Sequence, residues 1–287
     1  MPKQPKRALR KRSKKKIKSK KKNPKCNTKV KKIIVKKIMT DKEISAKEGE
    51  HIDFSHYTQK KAHGVIKEDA DVYTDTGELL LKFRKNVICK SITDKALDAY
   101  RKQAKVLHSN RGASSGVLDV HKLPNYVGKY VKPGKFRTKF VRKSDGKESK
   151  ILTSNLSPSN IVGYYDKPDL NYVDSPPCRL TAFNRDHPTL WKQSLPFVKR
   201  CDQLFKQLVP GRHKIQKKKA DGVKQFRIAN TAFTTLTINY SWRTGLHKDS
   251  GDLDEGFGNL VVIEDHQNPH SYEGCYLGFP QYGICVD

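Results

Sequence analysis

The chain has 287 residues and a formal net charge of +30, with 59 Lys or Arg residues against 29 Asp or Glu. A chain this positive is expected to bind polyanions, nucleic acid above all. No run of about 18 apolar residues occurs, which excludes a membrane-spanning helix and predicts no membrane partner. The six cysteines lie far apart without a CxxC pair, a usage typical of free thiols in a reducing compartment.

Residues 1–46 are predicted to form a disordered basic arm, because Lys clusters repeat there without a hydrophobic period. Residues 1–37 hold 19 Lys or Arg residues and no Asp or Glu. A short apolar run at residues 33–35 has the composition of an edge strand. The candidate nucleic-acid-binding residues are the clustered cations Arg10, Lys11, Arg12, Lys14, Lys15, Lys16, Lys20, Lys21 and Lys22.

These clusters fit either a nuclear import signal or a phosphate-binding tail. The alternative is a solvated charge run without a specific partner. We therefore expect DNA, or else RNA, as the partner. The same clusters predict a nuclear location. If the protein is viral, they predict a location in the virion or the host nucleus.

Residues 47–150 are predicted to form a small, basic, mixed α/β segment. Alternating residues around an Asp-Thr-Gly turn predict a hairpin over residues 71–83. A helix is predicted from its N-cap Thr93 to a Gly-containing end at residues 110–112. Aromatic residues between basic ones at residues 126–150 suit either a nucleic-acid groove or a solvated sheet face.

Residues 151–287 are predicted to hold one long helix and several short strands. Pro188 in the first turn and the terminal Pro210 mark the helix, and Pro196 predicts a kink or two abutting helices. A strand precedes the helix and a polar loop follows it, at residues 178–183 and 214–219. Later strands are predicted at residues 226–228, 232–240, 258–263, 274–279 and 282–287. This order predicts an α+β fold with a jelly-roll-like double sheet.

The candidate catalytic and metal-binding residues are His247 and Asp249, which follow the β-patterned run at residues 232–240. Side chains two apart on extended chain point to the same side. This pair would supply two of the three ligands of a two-histidine-one-carboxylate iron site, which keeps positions open for a co-substrate and dioxygen. Alone, the same spacing is also typical of a surface His and Asp.

The motifs around this pair resemble those of a known enzyme family. They lie at residues 231–239, 242–244, 247–249, 251–253, 256–260, 272–274, 276, 278–280, 282–283 and 286–287. Upstream matches lie at residues 110–113, 163–166 and 178–183. Together they resemble the TET/J-binding-protein family of 2-oxoglutarate- and iron-dependent nucleic-acid dioxygenases, with the J-binding-protein branch and its viral and phage relatives nearest.

The resemblance implies a double-stranded β-helix that hydroxylates the 5-methyl group of thymine or 5-methylcytosine in DNA, with the base flipped out of the stack. It implies Fe(II), 2-oxoglutarate and O2 as cofactors and co-substrates, and His247 and Asp249 as iron ligands. Asn239 would contact the co-substrate or play a plain structural role. Arg243 would meet a carboxylate or phosphate of a ligand, or pair with Asp252.

Neither the family's distal iron-binding His nor its 2-oxoglutarate-binding Arg has a match in this sequence. His266 and His270 follow Asp249 too closely and lie in a turn. We therefore expect a C-terminally incomplete jelly-roll core, as the N-terminal part of a longer dioxygenase or half of a split gene. The alternative function is a non-catalytic nucleic-acid-binding or packaging protein that uses the basic arm.

Overall fold

The computed structural model describes residues 29–123, 127–131, 133–166, 178–249, 252–265, 267–268, 274 and 276–287. Within these ranges the strands are β1 (Lys31–Val35), β2 (Gly64–Ile66), β3 (Ala70–Thr74), β4 (Leu79–Phe83), β5 (Val127–Val131), β6 (Lys139–Arg142), β7 (Ser159–Asp166), β8 (Cys178–Leu180), β9 (Thr235–Asn239), β10 (Leu277–Phe279) and β11 (Ile284–Val286). The helices are α1 (Asp41–Ala46), α2 (Ser55–Thr58), α3 (Lys90–Ala104), α4 (Ala182–Asp186), α5 (Pro188–Leu208) and α6 (Pro210–Gly222).

The first hydrophobic core packs α3, α4 and α5 against an antiparallel sheet of order β8-β7-β9. The apolar residues of α5 recur at helical spacing, so Val198 and Phe205 are buried on one face. Strand β9 alternates, with Leu236 and Ile238 packed on the core and Asn239 exposed. This core holds the sheet that leads into the candidate metal site.

The second core lies between two small sheets, of order β1-β3-β4 and β10-β11-β2. Val35, Val72 and Ile284 are fully buried in it. Strand β11 runs parallel to β2, which joins the last residues of the chain to its N-terminal third. Because each core combines residues from both sides of the predicted boundary at residues 150 and 151, that boundary does not separate two cores.

The predicted disorder of residues 1–46 is wrong for residues 31–46, whereas the edge strand indicated by residues 33–35 is present as β1. Strand β1 pairs in parallel with β3, and helix α1 follows it. A capping box begins α1, where Glu43 N–H donates to Thr40 Oγ1 at 3.2 Å and Thr40 N–H donates to the Glu43 carboxylate at 2.7 Å. Burial of Val35 outweighs the Lys-rich composition. The candidate nucleic-acid-binding residues Arg10, Lys11, Arg12, Lys14, Lys15, Lys16, Lys20, Lys21 and Lys22 lie outside the described residues.

Further segments differ from the sequence-based expectation. The strand predicted at residues 226–228 does not form, since residues 224–226 form a 3₁₀ turn. The helix predicted from Thr93 to residues 110–112 instead spans Lys90–Ala104. The predicted loop at residues 214–219 lies inside α6, because lysines are good helix formers and the inner face of α6 buries His213 and Ala220. The strand predicted at residues 258–263 does not form; Leu260 and Val262 are exposed there and have no partner strand among the described residues.

The predicted α+β class is confirmed, and the hairpin at residues 71–83 is present as β3 and β4. The strands that the structure describes form three three-stranded sheets and one two-stranded sheet, without a closed double-sheet roll.

Among the helices in the described ranges, none has both the length and the apolar character needed to cross a bilayer.

Asp71 provides a test of how the N-terminal sheet is stabilised. Its carboxylate lies 2.6 Å from Arg84 Nη2 and 3.1 Å from Lys82 Nζ. Burial by itself would raise the pKa of Asp71, but these two cations hold that pKa below its ordinary value. The charged carboxylate therefore adds stability above its unfolded pKa of about 3.9, and this stability is lost as the pH falls through the folded pKa.

We expect Asp71→Asn to lower the free energy of unfolding by about 1–3 kcal/mol near neutral pH, because both cations lose their partner. The difference in free energy of unfolding between Asp71→Asn and the wild type should shrink below about pH 4, as measured by urea unfolding across a pH series. Asp75→Asn, at an exposed position in the adjacent turn, is the control. An equal difference in free energy of unfolding at the lowest and highest pH would contradict this explanation.

Candidate metal site

His247 and Asp249 lie together on an irregular segment between β9 and the C-terminal strands. Nε2 of His247 is 3.4 Å from Oδ1 of Asp249. The other ring nitrogen, Nδ1, is 2.8 Å from the Gly245 carbonyl oxygen. If Nδ1 carries the proton and donates to this carbonyl, Nε2 presents its lone pair to a metal, which is the usual arrangement of a ligating histidine.

The N-terminal segment at residues 48–52 holds the site segment in place. Gly49 N–H donates to the Leu246 carbonyl and Leu246 N–H donates to the Glu50 carbonyl, each at 2.8 Å. Gly245 N–H donates to the Ser114 carbonyl at 2.9 Å. The residues before His247 are thus fixed by backbone contacts from two distant parts of the chain.

Gly245 is buried, and only a glycine fits its position. A Cβ added there would lie 2.8 Å from the carbonyl oxygens of both Ala113 and Gly49. These distances are shorter than any normal carbon–oxygen contact, so a larger residue would displace the segment that carries His247. Sequence reasoning missed this residue because its neighbours lie far away in the sequence.

The loop that receives Gly245 is fixed by a buried serine. Ser154 Oγ accepts hydrogen bonds from Arg111 N–H at 3.1 Å and from Gly112 N–H at 3.2 Å, and Ser154 is fully buried. Asn155 Nδ2 donates to the Ser115 carbonyl at 3.0 Å. Residues 110–113 are among the motifs that carry the family resemblance, and that signal would have pointed to this loop.

The charges at the site act on one another. Hydrogen bonding to Asp249 raises the pKa of His247 above its ordinary value, although burial opposes this, so a metal ion would displace the proton that Nε2 shares with Asp249. The same contact lowers the pKa of Asp249. Burial raises the pKa of Asp252, and the neighbouring Asp249 adds to that rise. Burial lowers the pKa of Arg111, whose positive charge is offset by Asp249.

The donor pair suits a divalent metal ion. Metal–ligand bonds of about 2.0–2.2 Å allow two donors of one ion to lie up to about 4 Å apart, so the observed 3.4 Å is compatible with shared coordination. The His247 side chain is 27% exposed and that of Asp249 is 76% exposed, which leaves access for further ligands. Within the described part of the chain, no group of three His, Cys, Asp or Glu residues converges on one point.

Arg243, another candidate site residue, contacts the N-terminal segment. Arg243 donates to the Ile52 carbonyl at 2.9 Å and approaches Asp53 Oδ1 at 3.4 Å, so its ion pair is with Asp53 rather than the expected Asp252. Asn239 is exposed at the end of β9. The predicted roles of both residues toward a co-substrate stay predictions. His266 and His270 lie outside the described residues.

A cleft of about 680 Å³ adjoins the site segment. It is lined by both loops that hold Gly245, including Glu50, Ser115 and Asn155. His51, also in its wall, has Nδ1 3.3 Å from the Thr244 carbonyl oxygen. The cleft therefore borders the backbone that positions His247, on the side of the N-terminal segment.

Replacing Ser154 with Ala should destabilise the protein by about 1–3 kcal/mol, because the two N–H groups of Arg111 and Gly112 would be left buried without an acceptor. Thermal unfolding of this variant beside Ser144→Ala, at an exposed position, measures the effect. If both serine variants unfolded at the wild-type temperature, the proposed fixing of the loop by Ser154 would be wrong.

Comparison with known proteins shows similarity to one family of oxygenases. Residues 160–287 match the Tet_JBP family model, described as the oxygenase domain of the 2OGFeDO superfamily, which depends on Fe(II), 2-oxoglutarate and O2. The bifunctional helicase and thymine dioxygenase JBP2 of Leishmania tarentolae is 37% identical over 136 residues, which are 46% of this chain and 11% of that protein. No solved structure gives a significant match.

Two thymine dioxygenases of trypanosomes are also similar. JBP1 of Trypanosoma brucei brucei is 33% identical over 140 residues, 47% of this chain and 15% of that protein. JBP1-B of Trypanosoma cruzi (strain CL Brener) is 29% identical over 189 residues, 63% of this chain and 20% of that protein. The chain thus spans less than a quarter of the length of these relatives. Residues 160–287, which contain His247 and Asp249, therefore match the oxygenase domain of the TET/JBP family.

Proposed function

We propose that the protein is a 2-oxoglutarate- and Fe(II)-dependent dioxygenase that hydroxylates the 5-methyl group of thymine in DNA. The observation that carries the proposal is the convergence of His247 Nε2 and Asp249 Oδ1, 3.4 Å apart, within the segment that matches the oxygenase family. One atom of O2 would enter the methyl group as a hydroxyl. The other would enter succinate, formed as 2-oxoglutarate loses CO2.

Thymine is the proposed base because the relatives are named thymine dioxygenases. The base would have to leave the duplex stack to reach the site. The exposure of Asp249 is compatible with such an approach. Oxidation of 5-methylcytosine is the competing outcome that a substrate comparison would reveal.

The protein's own residues would prepare the site for the ion. The Gly245 carbonyl fixes the His247 ring through Nδ1, which leaves Nε2 for the metal. Asp249 would contribute a carboxylate oxygen and a negative charge, which Arg111 partly balances. A bound ferrous ion would supply the oxidative chemistry with O2 and 2-oxoglutarate.

We also propose that the described sheets belong to a jelly-roll core of the kind implied by the superfamily. The support is the antiparallel sheet β8-β7-β9, which leads directly into the segment that carries His247. Strands β10 and β11 pair in antiparallel fashion after the site, as strands of a roll would.

DNA is the proposed partner, and the basic arm is the proposed contact with phosphates. Residues 1–28 hold 14 Lys or Arg residues and no carboxylate. Deletion of residues 1–28 is expected to weaken DNA binding and flatten its salt dependence without changing base preference, because phosphate contacts carry no sequence information. The deletion ends before β1 so that the N-terminal sheet is kept. A changed base preference would contradict this assignment.

The same clusters support a nuclear location, which a fluorescent fusion with and without the arm would test.

The test of the function is nucleoside mass spectrometry of duplex DNA after incubation with the full chain, Fe(II), 2-oxoglutarate and O2. We expect 5-hydroxymethyluracil in amounts equal to the succinate released. A matched duplex with uracil in place of thymine lacks the methyl group and should give neither product. Intact DNA binding without either product would instead favour a non-catalytic nucleic-acid-binding protein.

A further inference from the structure

Helix α5 carries a stripe of lysines on the side opposite its buried face. Lys192, Lys199 and Lys206 recur every seven residues and are all exposed. Seven residues make nearly two helical turns, so the three lysines line up over about 21 Å of the helix. The apolar residues of α5, including Val198 and Phe205, face the first core instead.

Helix α6 presents a second group of lysines. Lys214, Lys218 and Lys219 are exposed, whereas His213 and Ala220 are buried. Lys214 and Lys218 are four residues apart and therefore neighbours on one face. The segment was predicted to be a polar loop, so sequence reasoning could not place these charges on a rigid surface.

The carboxylates of these two helices are engaged elsewhere. Asp202 of α5 accepts from Ala232 N–H at 2.8 Å and lies 3.1 Å from His213 Nε2, so it joins α5 to α6. Asp221 of α6 pairs with Lys217 and Arg227. None of the six exposed lysines forms an ion pair with a carboxylate of the described chain.

We propose that the outward faces of α5 and α6, called the α5–α6 face below, bind the phosphate backbone of duplex DNA independently of the basic arm. The proposal rests on the proposed function, since it takes DNA as the ligand. Double-stranded DNA carries a charge about every 1.7 Å of its axis when both strands are counted, so a length of duplex equal to the 21 Å stripe on α5 holds about a dozen phosphates, of which those on the near side lie within reach. Uncompensated lysines on rigid helices match this repeating charge without reading any base.

The test compares three full-length variants that each lose three positive charges. The first is Lys192→Gln with Lys199→Gln and Lys206→Gln, and the second is Lys214→Gln with Lys218→Gln and Lys219→Gln. The control is Lys60→Gln with Lys61→Gln and Lys67→Gln, at exposed positions outside the face. Fluorescence anisotropy with a short labelled DNA duplex gives Kd across a series of salt concentrations.

Removal of each phosphate-binding charge should reduce the slope of log Kd against log salt by about 0.9, so we expect a reduction of about 2–3 for each helix variant and none for the control. The corresponding Lys→Arg variants keep the charge and should keep the wild-type slope. Helix variants that retain the wild-type slope, or a control that changes as much as they do, would overturn the proposal.

The outcomes separate this proposal from the oxygenase function. Product formation is measured on the wild type at a saturating DNA concentration. A flattened slope in the helix variants with no hydroxylated thymine from the wild type would support the α5–α6 face and reject the oxygenase. Hydroxylated thymine with unchanged slopes would reject the face alone.

Discussion

Replacing His247 with Ala is expected to lower the thymine-dependent release of succinate by at least about 100-fold. Loss of a residue that merely supports a metal ligand typically costs 10–100-fold in metal affinity or activity, and loss of the ligand itself should cost more. Asp249 would then be the last donor of the 3.4 Å pair. The measurement is succinate release with and without thymine-containing DNA, at a fixed Fe(II) concentration.

The control for this variant is His121→Ala, because His121 is an exposed histidine on a different part of the chain. Its activity should equal that of the wild type. DNA binding by the His247 variant should also be unchanged, since its loss of activity comes from the metal site. Succinate release by the His247 variant at the wild-type rate would show that His247 is not an iron ligand.

Replacing Gly245 with Val is expected to destabilise the protein by about 1–3 kcal/mol and to reduce activity as well. The added side chain would meet the carbonyl oxygens of Ala113 and Gly49, which a Cβ alone would approach to 2.8 Å. Gly245 also provides the carbonyl oxygen 2.8 Å from Nδ1 of His247, so its displacement would change the orientation of the ring.

Thermal unfolding and succinate release, both compared with Gly258→Val, measure this effect. Gly258 is exposed and an added Cβ there meets no atom within 4 Å, which makes it a matched control. Activity is compared well below the unfolding temperature of the Gly245 variant, so that loss of folded protein does not account for the result. Equal stability and activity of the two valine variants would contradict the tight fit at Gly245.

Local signals in the sequence predicted much of the fold. The alternating residues on either side of a turn predicted the hairpin that β3 and β4 form. Pro188 and Pro210 correctly marked the beginning and end of α5, because proline fits the first turn of a helix and interrupts its continuation. Pro196, by contrast, lies within α5 without dividing it.

Pairings between distant segments had no such local signal. Strand β11 places Ile284 beside Gly64, and β1 pairs in parallel with β3 although its sequence is rich in lysine. Burial of Val35 in the second core stabilises the pairing of β1 with β3. The lysine-rich α6 was missed although lysine favours helices, because its packing depends on contacts of His213 with α5 that no local pattern records.

The candidate site likewise combines a feature that the local sequence predicted with features set by distant contacts. The two-residue spacing predicted that His247 and Asp249 point the same way, and the structure places their donor atoms 3.4 Å apart. The residues that position them could not be predicted, because Gly245 meets Gly49 and Ala113 only through the folding of the whole chain. Arg243 likewise lies beside Asp53, nearly two hundred residues earlier.

Metal binding in a double-mutant cycle tests the central claim most directly. Mn(II), which is redox-stable in air, is titrated into the wild type, His247→Ala, Asp249→Ala and the double variant, and the free ion is followed by electron paramagnetic resonance. If both side chains bind one ion, each single variant should lose most of the affinity and the double variant should lose little more. Wild-type affinity in either single variant, or independent additive losses, would contradict a shared metal site.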